Sequence, residues 1–407
     1  LVLCRLVFKA RVFTGHDLNF VCLCFIHSDK ILEQYEKIGL PLLSSYISKI
    51  GRVVVASALI VTTAVAPSLA CTGMMLINKD VSLVAGRTVE FSIPLKASAA
   101  LIPRGYAFTG ETPAGPGLKY TAKYAAAGIY SFDDVKLMDG INEAGLVAGA
   151  FYLPTFATYT DLTAQNQSKG LAPAEFPNWL LTQFGSVAEV RQAIESGAVI
   201  ITPTVKPGWG AAPPPFHFAV YDKTGASIVI EPIGGKLVVH DNPLGTITNS
   251  PNFQWHMTNL RNYIAVGTNN IDKGKIGRLE LQALGAGNAM LGIPGDLSPP
   301  SRFVRAAFFS ATAVQSPNAE EGVKQLFHLL NNFDIPRGMA RTDSVADYTE
   351  ITTARDPQNL RFYWRSHDHQ TIRMIDMKQL DLNSKVIKHF VADEGSTPVR
   401  DMSAKFK

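Results

Sequence analysis

Cysteine is scarce and unevenly placed: the 407 residues hold four, and three of them, Cys4, Cys22 and Cys24, precede Cys71. So few thiols exclude a disulfide-stapled scaffold. Charge is also sparse, at 18% of residues, and the net value is +4. Seven Lys/Arg against four Asp/Glu fall in the first 70 residues, which leaves 31 against 30 from Cys71 onward. Nothing there forms the clustered basic face that nucleic acid requires. No methionine occurs before Met74, and there is no internal repeat or low-complexity tract. No apolar run reaches the roughly 20 residues of a membrane-spanning helix.

What is present begins with "VVVASALIVTTAVAPSLACTGMM", residues 53 to 75. Lys49 and Arg52 supply a positive end, Val53 to Ala66 an apolar stretch, and Pro67 a helix break. Ser68-Leu69-Ala70 then gives the small-x-small pattern that signal peptidase reads. Residues 49–70 are therefore expected to be a signal peptide, and 1–48 an atypical extension absent from the mature protein. Residues 71–407 are expected to form a single domain, exported to the periplasm or secreted, without a stable membrane anchor after cleavage. An uncleaved anchor is the alternative.

From Cys71 the pattern is mostly paired strands. "CTGMMLIN" and "SLVAGRTVEF" flank a tight turn at Lys79-Asp80. "FHFAVYD", "SIVIEP" and "KLVVHD" read as an antiparallel meander, and "YTEITTARD", "LRFYWRS" and "TIRMIDM" as three more strands. "AEFPNWLLTQFGSVAEVRQAIES" has helical spacing and divides near Gly185. "SRFVRAAFFSATAV" and "NAEEGVKQLFHLLNNF" predict two further helices, the second with acidic residues in its first turn. Residues 202 to 215, rich in Pro and Gly, predict an irregular loop. Strand blocks interleaved with helix pairs predict an α+β domain in layers.

Three fates compete for Cys71. A disulfide lacks an internal partner once the first 70 residues are gone. A lipid anchor calls for a Leu-like residue three before the cysteine, where Ser68 stands, and a non-catalytic exported lipoprotein would follow from it. The third fate is chemical. Cleavage after Ala70 would leave a thiol and a free α-amine on one residue. The amine has an unperturbed pKa of about 7.7–8.0 and the thiol about 8.5, so the amine can accept the thiol proton. This is an activated nucleophile that needs neither cofactor nor metal, and none of the nine histidines lies near Cys71 in sequence. Arg87 would favour the thiolate, and Glu90 would orient the amine. On a regular strand the two face opposite sides, so a bulge or strand end is needed to bring both onto Cys71. Read alone, they are ordinary solvated charges.

"CTGMMLINKDVSLVAGRTVEFS" resembles the start of the mature choloylglycine hydrolase family, which includes penicillin V acylases and conjugated bile salt hydrolases. In that family an N-terminal cysteine is followed sixteen residues later by Arg, here Arg87, and nineteen later by Asp, where this chain has Glu90. "DGINEAGLVAGAFYLP", "TITNSPNFQWHMTNLRNY" and "SRFVRAAF" are similar to further family motifs. The resemblance spans Cys71 to about Leu382. It implies a four-layer αββα N-terminal-nucleophile fold, with two antiparallel sheets between helix layers. It also implies Asn249 as the oxyanion donor, aided by Tyr152, and Arg302 as a second active-site arginine. Asp139 and Asn142 read as structural. Met75, Phe91, Phe151 and Tyr152 are expected to line the acyl pocket with the 202 to 215 loop. The implied activity is cofactor-free cleavage of a linear amide in a small N-acyl substrate. Penicillin V, a conjugated bile salt and an N-acyl homoserine lactone all stay open, and the resemblance alone suggests a homotetramer.

Overall fold

A computed structural model describes residues 70 to 406, apart from 93, 132–134, 207–210, 343–344, 394 and 397–398. The expected extension, and the signal peptide up to its last residue, lie outside the described residues. Cys71–Ile77 and Leu83–Phe91 form an antiparallel hairpin in which Cys71 lies opposite Val89 and Gly73 opposite Arg87. The connection is longer than the expected tight turn. It runs from Asn78 to Ser82, with Asp80 Oδ1 accepting from the Ser82 N–H (3.0 Å) and Val81 at φ 60°, the Asx-type geometry short acidic side chains support.

Two antiparallel sheets make up the centre. The first sets Leu83–Phe91 between Cys71–Ile77 and Val345–Asp356, then continues through Arg361–Ser366 and Arg373–Asp376. The second runs in space from Lys236–Asp241 through Ser227–Ile233, Phe216–Tyr221, Val147–Tyr152, Leu137–Asn142, Ala126–Tyr130 and Ser98–Ile102 to Lys388–Val391. The expected meander and the three late strands are all present within these sheets.

Alternation along Leu83–Phe91 builds the layers. Leu83, Ala85 and Val89 join the large core with Ile141, Val147, Phe218 and Ile230 of the second sheet. Val84 turns the other way, into a core with Met74, Leu76, Val323, Leu326 and Phe327. That second core lies under the helices Pro299–Thr312 and Ala319–Leu330, which pack on the first sheet. Gly86 permits the close approach, since a Cβ there would lie 2.7 Å from Leu326 Cδ2 and 2.8 Å from the Thr353 carbonyl. Phe176–Gln183 covers the second sheet, and Val187–Glu195 follows after the break at Phe184 to Ser186, where Ser186 caps the new helix through the Glu189 N–H. The layer order is helix, sheet, sheet, helix.

Candidate active site

Cys71 is the first residue of its strand and only 5% exposed. The carbonyl of the preceding Ala70 accepts from the Glu90 N–H at 2.9 Å. Burial pushes the Cys71 thiol up. The Arg87 charge opposes that rise, Glu90 adds to it, and Arg302 opposes it.

The Cys71 nitrogen donates to Asn249 Oδ1 at 2.8 Å. Arg302, in the first turn of Pro299–Thr312, donates from Nη2 to the same oxygen at 2.7 Å. Its Nη1 donates to the Cys71 carbonyl at 2.6 Å and to Thr72 Oγ1 at 2.8 Å. Asn249 Nδ2 donates to the Tyr152 carbonyl at 2.8 Å. A planar guanidinium thus ties the backbone of Cys71 to the Asn249 amide, a fork geometry that Lys cannot supply.

Arg87 and Glu90 are each 1% exposed, which corrects their reading as solvated charges. They leave opposite faces of the strand, as period two demands. Arg87 points between the sheets, donating to the Ala150 carbonyl with its guanidinium carbon 3.8 Å from the Phe151 ring centre. Glu90 accepts from Thr349 Oγ1 at 2.7 Å. Cys71 feels both because it sits at a strand end. The adjoining strand is bulged between Thr349 and Ile351, opposite Glu90, so the needed irregularity belongs to the partner strand.

Burial raises the Glu90 carboxyl to about 7, against the pull of Arg302, Thr88, Thr349 and Arg87. The folded chain therefore holds this proton more tightly than the unfolded chain, where a Glu titrates near 4.3 (roughly). The resulting stability is present below that pH and lost as pH rises through 7. In the chain that retains Ala70, unfolding free energy is expected to fall by on the order of 3 kcal/mol between pH 4.5 and 8. Glu90→Gln should flatten that decline in denaturant titrations; an unchanged slope would assign it elsewhere.

The pocket at the sulfur is lined by strand residues that include Arg87, Val89, Phe91, Ala150 and Tyr152. Leu95, Ser131, Lys136 and Lys206 reach it from connecting segments. It is tight, about 30 Å³, which is room for a water or two. Burial raises the Tyr152 phenol to about 12, so it stays protonated at neutral pH.

Two expected lining residues are elsewhere. Met75 shares the Cys71 face of its strand but lies four residues along it, about 13 Å. It lines a separate cleft, with its Cβ against Gly245. Phe151 neighbours Tyr152 on one strand and so turns to the opposite face, packing under Gly73 and against Arg87. Asp139 and Asn142 hold the scaffold. Asp139 accepts from Arg355 Nη1 at 2.9 Å, and Asn142 bonds the Leu181 and Phe184 carbonyls.

Two histidines at the site are not among the residues that the sequence motifs single out. His217 and His256 touch the Thr248 and Asn249 carbonyls although both are far from Cys71 in sequence. One signal was available: His217 and Glu231 are ionisable residues inside otherwise apolar adjacent strands, and their side chains meet at 3.1 Å.

The sequence pattern of the linear amide C–N hydrolases, choloylglycine hydrolase family, matches residues 71–390. A bile salt hydrolase/transferase from Clostridium perfringens is 31% identical over 323 residues, covering 79% of this chain and 96% of that protein. A penicillin V acylase from Pectobacterium atrosepticum is 26% identical over 344 residues, covering 78% and 83%. A crystal structure of a variant of conjugated bile acid hydrolase from Clostridium perfringens superposes with a TM-score of 0.72 at 30% identity, over 81% of this chain and 99% of that one. With this fold and this match, the chain belongs to the choloylglycine hydrolase family of linear amide C–N hydrolases.

Proposed function

We propose that Cys71, freed at its nitrogen by a cut after Ala70, is the nucleophile that cleaves an N-acyl amide. The observation that carries this reading is the bond from the Cys71 nitrogen to Asn249 Oδ1, beside Arg302. It holds the nitrogen on the residue that bears the sulfur, as a one-residue nucleophile and base requires. The family match beginning at residue 71 and the Ser68-Leu69-Ala70 pattern support the cut, and with it export.

In this reading the α-amine takes the thiol proton as sulfur attacks the amide carbonyl. The Asn249 amide has two hydrogens. One goes to the Tyr152 carbonyl, and the other is the donor for the oxyanion. Collapse of the tetrahedral adduct breaks the C–N bond, and the Cys71 ammonium protonates the departing nitrogen. Water, deprotonated by the same amine, then hydrolyses the thioester. A new ammonium at Cys71 favours the Glu90 carboxylate. The narrow pocket admits an acyl group only if its connecting segments give way, because ladder hydrogen bonds fix its strand residues.

Charge in the pocket narrows the substrate class. Lys136 in its lining is neutralised by Glu111 at 2.7 Å and Glu175 at 3.9 Å, whereas Arg87 meets a carbonyl and an aromatic face. That guanidinium favours an amine part that carries an acid, as in penicillin V or a glycine-conjugated bile salt, over an uncharged homoserine lactone. Purified protein is expected to show kcat/KM at least tenfold lower on an N-acyl homoserine lactone than on the better of the two acidic amides. A lactone preference would reverse this assignment.

We also propose a homotetramer. The hairpin of Lys273–Ile276 with Leu279–Gln282 is wholly exposed, and Ile271, Ile276, Leu279, Leu284 and Leu291 in and around it are solvent-facing. Further copies of the chain are the occupants that would cover these side chains. Light scattering is expected to give four chains, and Ile276→Lys with Leu279→Lys to reduce the mass; a monomeric wild type would refute it.

A further inference from the structure

We infer that His217 is a positioning residue for Asn249: its ring, held at Nδ1 by Glu231, grips the Thr248 carbonyl through Nε2 and so fixes the peptide that presents the Asn249 amide to Cys71. The inference rests on the reading of Cys71 and Asn249 as reacting partners.

The hydrogen-bond roles follow from the partners. His217 Nε2 lies 3.1 Å from the Thr248 carbonyl oxygen, which only accepts, so Nε2 donates. Nδ1 lies 3.1 Å from Glu231 Oε1, which also receives the Phe253 N–H at 3.0 Å. Glu231 thus holds the ring at the nitrogen opposite the one that meets Thr248, and ring and carboxyl are each 1% exposed.

The neighbouring groups sharpen the contrast. Gln254 Nε2 faces His240 Nδ1 at 3.1 Å, which leaves the hydrogen of His240 on Nε2, 3.3 Å from Glu231 Oε2. His256 donates from Nε2 to the Asn249 carbonyl at 2.8 Å. Burial lowers its ring to about 4, and it stacks on Phe303 with ring centres 4.5 Å apart. Two histidines therefore hold successive carbonyls. Thr248 Oγ1 donates to the Pro299 carbonyl (3.1 Å) and Ser250 Oγ to the Pro154 carbonyl (2.6 Å). The segment is gripped at 248, 249 and 250, and only His217 does so with a buried carboxyl partner. Neither His217 nor Glu231 lines the pocket at the sulfur, so the pair acts through Asn249.

The test combines a spectroscopic and a kinetic reading. Nitrogen NMR of histidine-labelled enzyme at pH 7 should show His217 with a hydrogen on Nε2; a ring without one there overturns the inference. Glu231→Gln keeps the shape and removes the charge. It should lower kcat at least tenfold with KM within threefold, while iodoacetamide alkylates Cys71 within threefold of the wild-type rate. A kcat within twofold of wild type, or an equal loss of kcat and alkylation, overturns the positioning role. If Glu231→Gln does not fold, the wild-type spectrum still decides. Cys71→Ala measured alongside separates the two readings. Retained turnover there removes the reaction scheme itself, whereas an inactive Cys71→Ala beside a fully active Glu231→Gln removes the positioning role alone.

Discussion

Cys71→Ser is expected to fold as the wild type does and to lose at least about a thousandfold in turnover, the scale on which removal of a nucleophile acts. The substitution changes one atom. The Cys71 nitrogen and carbonyl, which Asn249 and Arg302 hold, are backbone groups and keep their partners. The hydroxyl is far less acidic than the thiol, and the α-amine is matched to a thiol, whose pKa lies within about one unit of its own. Steady-state kinetics and thermal melting check both halves. Near-wild-type turnover would remove Cys71 from the chemistry, and a collapsed melting temperature would show that the sulfur holds the core.

The second large effect is expected at Asn249, where two substitutions separate two jobs. Asn249→Ala removes the acceptor shared by Cys71 and Arg302 and the donor to Tyr152. Loss of an oxyanion donor lowers kcat by about 10²–10³. Unpartnered buried donors on Arg302 and Cys71 cost a further 1–3 kcal/mol or so of stability. Asn249→Asp keeps the acceptor and loses the donor. It should be as inactive as Asn249→Ala yet melt closer to the wild type. Full activity in Asn249→Asp would move the oxyanion donor to another group.

The fold was largely legible because its elements bury alternating or helically spaced apolar residues. The break before Ser186, the first-turn Glu320 and Glu321 and the Phe216 to Asp241 meander all follow from local rules. Within the candidate site, the opposite facing of Arg87 and Glu90 was readable from period two, but the bulge at Thr349/Ile351 was not, because it lies on a strand some 260 residues on. Met75 and Phe151 were misplaced for geometric reasons: one is too far along its strand and the other has the wrong parity. His217 and His256 escaped because their role depends on which carbonyl each meets after folding. The exposed hairpin at Lys273–Gln282 carries no burial pattern that a sequence could reveal.

A cut between Ala70 and Cys71 would convert a peptide nitrogen into a base, and every proposed catalytic step depends on it. Intact-mass and N-terminal sequencing of purified, active protein test it most directly. The predicted result is a chain that begins at Cys71 with an unmodified thiol and amine. An active chain that begins at any other residue, or one that carries lipid on Cys71, would contradict it.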